Sequence, residues 1–152
     1  MPYYQNKFQP RKPVRSFRDL EVYQRTVECA VIIAKNLEPK LKRLKYIFSD
    51  NLTACAMSIP LYVAESHSLR FSDFKLAVAT LEKAMLSCNK MIVYLEQAIG
   101  LYGVKLDVEL AEDLMRRYIE VRGKMFRLEK SWQKYRANDS AVGGKSVNYP
   151  RY

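Results

Sequence analysis

The sequence predicts an all-α protein, an antiparallel up-down-up-down four-helix bundle, on three observations. Apolar residues recur at helical spacing through most of the chain. From Phe17 to Arg122 only Gly100 and Gly103 interrupt that pattern as glycines. Two long stripes alternate steps of four and three residues, a repeat that excludes strands and marks helices packed along their length. At 152 residues and 49% hydrophobic content, the chain suffices for one core.

The first predicted helix covers 17–37. Ser16 and Asp19 form its capping pair, Leu20, Val27, Val31 and Ala34 face inward, and Pro39 stops it. The second runs from about Arg43 to His67 and buries Ile47, Leu52, Ala56, Ile59 and Val63, with Pro60 expected to kink or split it. Ser72 and Asp73 can cap the third, whose stripe is Phe74, Val78, Leu81, Met85, Cys88, Ile92, Leu95 and Ile99. At about 1.5 Å per residue that stripe is a rod of roughly 40 Å. After a turn at Gly100–Gly103, Asp107 caps the fourth, which carries Leu110, Leu114, Tyr118, Val121, Met125, Leu128, Trp132 and Tyr135 and ends at 136. Short connections make successive helices antiparallel. Small residues form second lines, Ala30 with Ala34 and Ala77 with Ala84 and Ala98, that permit close packing within the bundle or between subunits.

Both ends are predicted to be disordered, giving an organisation of 1–16, 17–136 and 137–152. The first segment is a basic arm with three prolines and no acid, in which Tyr3, Tyr4 and Phe8 are able to stack on bases. The last holds Gly143, Gly144 and Pro150 among short polar residues.

The formal net charge is +10, which favours polyanionic partners, nucleic acid first. The cations concentrate in three places: the arm (Lys7, Arg11, Lys12, Arg15), the junction of the first two helices (Lys40, Lys42, Arg43, Lys45), and the fourth helix (Arg116, Arg117, Arg122, Lys124, Arg127, Lys130, Lys134, Arg136). In the last stretch only Glu120 and Glu129 oppose them. The helix dipole favours acid at the start, here Asp107, Glu109, Glu112 and Asp113, and base at the end, but eight cations exceed what capping needs. A solvated basic face is the plainer alternative. Such a surface would follow phosphates without reading bases, so sequence-tolerant, salt-sensitive binding is expected. Sequence leaves open whether the Lys40–Lys45 group joins the others.

Catalytic constellations are expected to be absent. Glu65, Ser66 and His67 are adjacent on a helix and therefore diverge, whereas a nucleophile and its base must face each other. Gly143-Gly144-Lys145-Ser146 lacks the first glycine and the strand of a phosphate loop. The three cysteines, Cys29, Cys55 and Cys88, lie far apart within apolar helical pattern and read as small buried residues. A metal centre would need closer ligand pairs and more than one histidine. No cofactor or metal is therefore expected. Neither a signal-peptide core nor an apolar run of the roughly 20 residues that cross a bilayer is evident, so the expected location is cytoplasmic, without membrane association.

Phe17-Arg18-Asp19-Leu20-Glu21-Val22-Tyr23-Gln24 resembles the opening F-x-D-L-x-V-W-Q of the four-helix bundle family encoded in bacterial ribosomal RNA intervening sequences. Ser58-Ile59-Pro60 and Ala64-Glu65 resemble its central S-I-P-x-N-I-A-E-G, and Phe74 fits the start of its third helix. Tyr62 and Ser66 depart from the family's Asn and Gly. That fold includes the accessory variability determinants of diversity-generating retroelements, so the resemblance implies a basic homopentamer that binds RNA or RNA with DNA and docks a reverse transcriptase. Five copies of a +10 chain would carry +50, which calls for a polyanion. Tyr62, Trp132 and Tyr135 would suit either the core or subunit interfaces. The competing expectation is an orphan intervening-sequence protein acting as a protein–protein scaffold; an enzyme would need a pocket of convergent polar groups.

Overall fold

The computed structural model describes residues 13–141. The chain enters the fold through the predicted capping pair. The Ser16 hydroxyl accepts the Arg18 N–H at 3.2 Å, and the Asp19 carboxylate accepts the backbone N–H groups of Arg15 and Ser16 at 2.9 and 3.2 Å. The pair opens a single 3₁₀ turn, Phe17–Asp19, and helix α1, Glu21–Ile32, follows. Val14, from the segment expected as a free arm, already packs against the core with Phe17.

The first rod runs past its predicted end. After α1 the chain makes a wide π turn, Ile33–Leu37, and continues as α2, Glu38–Arg43, so Pro39 does not stop the helix. Proline lacks an N–H and its ring collides with the carbonyl one turn back in a regular α-helix. Here it falls in the first turn of α2, where no N–H is needed, and the π turn widens the backbone ahead of it. The rod ends in a Schellman arrangement: the Lys45 N–H donates to the Lys42 carbonyl and the Tyr46 N–H to the Leu41 carbonyl, both at 3.0 Å. Lys45 occupies the left-handed position, at φ +60°, where glycine carries no steric penalty.

Helix α3, Ser49–Leu69, passes through Pro60 without splitting. Helix α4, Phe74–Tyr102, is capped by Asp73, whose carboxylate accepts the Leu76 N–H at 3.1 Å, and it includes Gly100. The turn comes at Gly103, with φ +49°, and a 3₁₀ turn, Gly103–Lys105, leads on. Asp107 then caps α5, Val108–Ala141, which continues beyond the predicted end at 136. No strand occurs among the described residues.

The four rods pack in cyclic order, α1 against α3, α3 against α4, α4 against α5, and α5 against α1. Named contacts give their directions. Between α1 and α5, Glu21 meets Lys124, Arg25 meets Glu120 and Glu28 meets Arg117, numbers that run in opposite senses. Across α3 and α4 the Cys55 thiol reaches the Ser87 carbonyl, while Tyr46, just before α3, donates its hydroxyl to the Gln97 side chain at 2.7 Å. Arg136 stacks on Phe74 at the far end of the α4–α5 pair.

Several inward faces differ from the predicted ones. In α4 the buried line is the small-residue one, with Ala77, Ala84, Ser87 and Ala98 joined by Leu81, Cys88 and Leu95. Val78, Met85 and Ile92 lie at its flank, half-buried. A helix can approach a neighbour closely only along small side chains, and the α3–α4 interface is the broadest in the bundle. In α1 the buried residues are Val22, Thr26, Cys29 and Ala30; Val31 is exposed, and Val27 and Ala34 are half-buried. Ile47, expected inward, is 81% exposed because it lies in the turn after Lys45, outside either helix. Most of the α5 stripe faces inward: Leu114, Tyr118, Val121, Met125 and Trp132 are buried, and Leu110, Leu128 and Tyr135 are half-buried.

The cysteines come from three helices. Cys29 and Cys88 are buried and Cys55 is half-buried. Burial pushes the Cys29 thiol up to about 11 and the Cys88 thiol up to about 12, so both stay protonated and unreactive near neutrality.

Lengthening the small face should disturb the fold, and trimming the outer one should not. Urea unfolding of Ala84→Leu is expected to show a loss of about 1–3 kcal/mol through overpacking. Leu86→Ala, on the exposed side of the same helix, should stay within about 0.5 kcal/mol of the parent. Equal costs would place the α4 rotation wrongly. Lys45→Gly should raise stability by about 0.5–1 kcal/mol by relieving the left-handed backbone, whereas β-branched Lys45→Val should lower it.

Candidate nucleic-acid interface

The expected basic residues separate into three structural classes. Lys7, Arg11 and Lys12 lie outside the described residues. Arg15 is exposed just ahead of α1. Since Glu21 sits level with Lys124 and the two helices are antiparallel, Arg15 belongs to the same end of the bundle as the second half of α5.

Lys40, Lys42, Arg43 and Lys45 lie at the opposite end. Tyr46 follows them directly, and its ring packs edge-on against Tyr102 at 6.2 Å, where α4 finishes. From there to Arg136 is most of the length of α5, roughly 40 Å at about 1.5 Å per residue. The two groups therefore do not form one patch. Lys42 is moreover engaged by Glu38 at 2.9 Å and Asp50 at 3.3 Å, and the hydrogen bonds to these carboxylates raise its pKa.

Within α5 the cations divide by helical face. Arg117 and Lys124 face α1 and act as clamps. Arg117 pairs with Asp113 at 2.9 Å and Glu28 at 3.4 Å, and Lys124 pairs with Glu21 at 3.2 Å. Arg25, which periodicity did not single out, completes this seam by joining Glu21 at 2.8 Å to Glu120 at 3.0 Å. Only the four-residue spacing of Glu21 and Arg25 hinted at it. Partial burial opposes the charge on Glu21, but the Lys124 hydrogen bond and the Arg25 and Lys124 charges prevail and hold its carboxyl below the ordinary value.

The outward face carries Arg116, Arg127, Lys130 and Lys134, spaced so that they follow one side of the helix. Arg116 is largely exposed and has only a 3.7 Å contact with Asp113. The Arg127 guanidinium lies over Gly123, 3.7 Å from where a Cβ would stand. Lys130 sits over the Phe126 ring at 5.1 Å, and Arg136 over Phe74 at 4.5 Å. Arg122 is exposed on the flank toward α4. Among the described residues Arg122, Arg127, Lys130 and Lys134 form no ion pair.

Neither Glu120 nor Glu129 forms an ion pair with them. Glu120 is taken by Arg25. Glu129 is buried against α4, where burial first, and then the Glu82 carboxyl, raise its pKa against the opposing charge of Lys130. The outward face of α5 thus presents a row of cations over about 27 Å, from Arg116 to Lys134, of which only Arg116 has a carboxylate contact among the described residues.

The Glu65-Ser66-His67 run ends α3 as expected, and its members diverge. Glu65 is exposed, and the Ser66 hydroxyl donates to the Val63 carbonyl at 2.9 Å. His67 is buried, and burial first, with the Arg70 charge, lowers its pKa to about 4, so it is neutral near pH 7. Arg70 was not singled out from the sequence. Among the described residues no cluster of three or more His, Cys, Asp or Glu is placed to hold a metal, and no helix is long and apolar enough to cross a membrane. No family model, curated protein or solved structure matches the chain.

The α1–α5 seam sets a pH expectation. A carboxylate with a lowered folded pKa contributes stability above its unfolded pKa and loses it as pH falls through the lower folded value. Glu21→Gln should cost about 0.5 kcal/mol at pH 7, a small figure because the side chain is half-exposed and screened. The difference should shrink as pH falls below the ordinary value of 4.5. Parallel urea titrations at pH 7 and pH 3 measure it; a constant difference would remove the ionic seam as its cause.

Proposed function

We propose that this protein is a non-catalytic, cytoplasmic nucleic-acid-binding accessory factor, whose contact surface is the outward face of α5. The observation that carries the reading is the unneutralised row Arg127, Lys130 and Lys134, with Arg116 and Arg122 beside it. Phosphates spaced along a strand replace the carboxylates these side chains lack, and counterion release supplies the affinity. Arg15 stands at the same end. The Lys40–Lys45 group stands at the other end of the bundle, roughly 30 Å or more from Arg127, Lys130 and Lys134.

The words shared with the ribosomal intervening-sequence bundle family support a narrower role. In that role the chain is an accessory variability determinant of a diversity-generating retroelement, a homopentamer that holds RNA or RNA with DNA and docks a reverse transcriptase. The all-helical four-rod fold is compatible with it. The outer faces also offer apolar side chains for protein contacts, with Leu61 on α3 and Leu86, Val93 and Leu101 on α4 each more than half exposed. The same residues favour a second reading, a protein–protein scaffold in which the charge keeps the particle soluble.

Charge reversal separates the two. In Arg127→Glu/Lys130→Glu/Lys134→Glu, single-stranded RNA affinity should collapse while helicity by circular dichroism persists. The log–log salt slope should also drop by about 2, near 0.7 for each lost phosphate contact. Lys124→Gln should lower stability and leave that slope nearly unchanged. RNA binding indifferent to the triple substitution would overturn the nucleic-acid reading. A single-copy mass by light scattering, or no co-purification with a reverse transcriptase, would remove the retroelement role.

A further inference from the structure

The groove between α4 and α5 carries an apolar surface that neither the core nor the α5 cation row uses. Four large side chains stand more than half exposed on its banks: Leu86 at 60% and Val93 at 51% on α4, Ile119 at 56% and Phe126 at 51% on α5. Their placement follows from register. Phe74 meets Arg136 and Glu82 meets Glu129, so the two helices run in opposite senses. Leu86 lies one turn beyond Glu82, and Phe126 lies one turn before Glu129. Both steps go the same way along the bundle, which puts Leu86 level with Phe126 on the solvent side of the Glu82–Glu129 contact. Val93 and Ile119 come seven residues further along each helix, on the same two faces and about 10 Å on.

Single exposed apolar side chains are ordinary, but four of them registered in two levels make a patch. The seven-residue spacing on both banks fits the anchors of an amphipathic helix laid along the groove. Charge selects which helix. Lys83 and Lys90 adjoin Leu86 and Val93 at helical spacing, Arg122 lies between Ile119 and Phe126, and Lys130 sits over the Phe126 ring at 5.1 Å. All four cations are exposed, and none forms an ion pair among the described residues. Two acids border the stretch, Glu82 at one end, turned to Glu129, and Glu96 toward the other. The middle of the groove is therefore basic as well as apolar. A second copy of this chain brings a further +10 to the contact. Neither 1–12 nor 142–152 contains an Asp or Glu, so the ends of the chain do not supply the opposite charge. A nucleic-acid backbone supplies charge but no apolar stripe to cover the four side chains.

We propose that the α4–α5 groove docks an acidic amphipathic helix of a partner protein. Its apolar side chains cover Leu86, Val93, Ile119 and Phe126, and its flanking carboxylates meet Lys90, Arg122 and Lys130. The inference goes beyond the nucleic-acid reading and does not rest on it, because its apolar anchors lie off the Arg127–Lys134 row.

The probe is a fluorescein-labelled synthetic helix of about 20 residues, roughly 30 Å long, with Leu at the core positions of each heptad and Glu beside them. Fluorescence anisotropy with the full chain should show saturable binding. Exchanging Glu for Lys in the peptide, or Leu for Ser, should each weaken binding by about tenfold or more. On the protein, Leu86→Ser/Val93→Ser should weaken it by a similar factor, and Ile119→Ser on the opposite bank should weaken it independently. All three positions are exposed, and circular dichroism confirms that the variants fold. The neutral Leu86→Ser/Val93→Ser pair should leave the salt slope of RNA binding unchanged. Absence of saturable binding, equal binding of the Lys peptide, or binding that survives Leu86→Ser/Val93→Ser overturns the proposal. An oligomer of the parent chain that dissociates in Leu86→Ser/Val93→Ser, read by sedimentation velocity, assigns the groove to a second copy and likewise overturns the acidic partner. Loss of RNA binding with peptide binding intact removes the nucleic-acid reading alone, and the reverse result removes the groove alone.

Discussion

The rotation of α4, which buries a line of small side chains, is the constraint on which the rest of the bundle depends. Ala77, Ala84, Ser87 and Ala98 are buried on α4, and Leu52, Ala56, Ile59 and Val63 are buried on α3, with which α4 shares its broadest interface. Once α4 is turned this way, Leu86 and Val93 must lie outside and Met85 and Ile92 at the flank. The remaining two rods then close the cycle with α5 presenting its own stripe inward. Packing of this kind fixes rotation as well as position, because a helix turned by one residue carries every side chain about 100° round its axis.

That rotation sorts the charges. The flank of α5 turned toward α1 brings Arg117 and Lys124 against Glu28 and Glu21, and Arg25 returns the contact to Glu120. Another flank sinks Glu129 beside Glu82. Cations on the remaining face keep their charge uncompensated. A basic stretch that looks uniform along the chain is thus three things in space: an ionic seam, a buried acid site, and a surface available to a polyanion. Surface ion pairs contribute little each, so the seam matters more for register and for removing acids from the outward face than for stability.

His67, near the end of α3, and Trp132, on α5, are neighbours because α3 ends beside the second half of α5. Both rings are buried, and burial first, with the Arg70 charge, keeps the imidazole neutral near pH 7.

The sequence by itself determined the helices, most of their caps and the order of the rods. Asp73 and Asp107 cap where expected because capping is a bond within three or four residues, Ser16 with Asp19 caps a 3₁₀ turn ahead of α1 instead of the helix itself, and the α5 stripe is legible because it is long and purely periodic. Pro39 misled because a π turn, a local departure from regular spacing, let the helix absorb it. The inward face of α4 misled because hydrophobicity weighs a leucine above an alanine, while a close helix contact selects the smaller residue. Only the tertiary structure decided which cations are spent on α1, that the Lys40–Lys45 group sits apart, and that His67 meets Trp132. Each of those outcomes depends on residues far apart in the chain, whose meeting is set by helix rotation and by antiparallel register rather than by any neighbour in sequence.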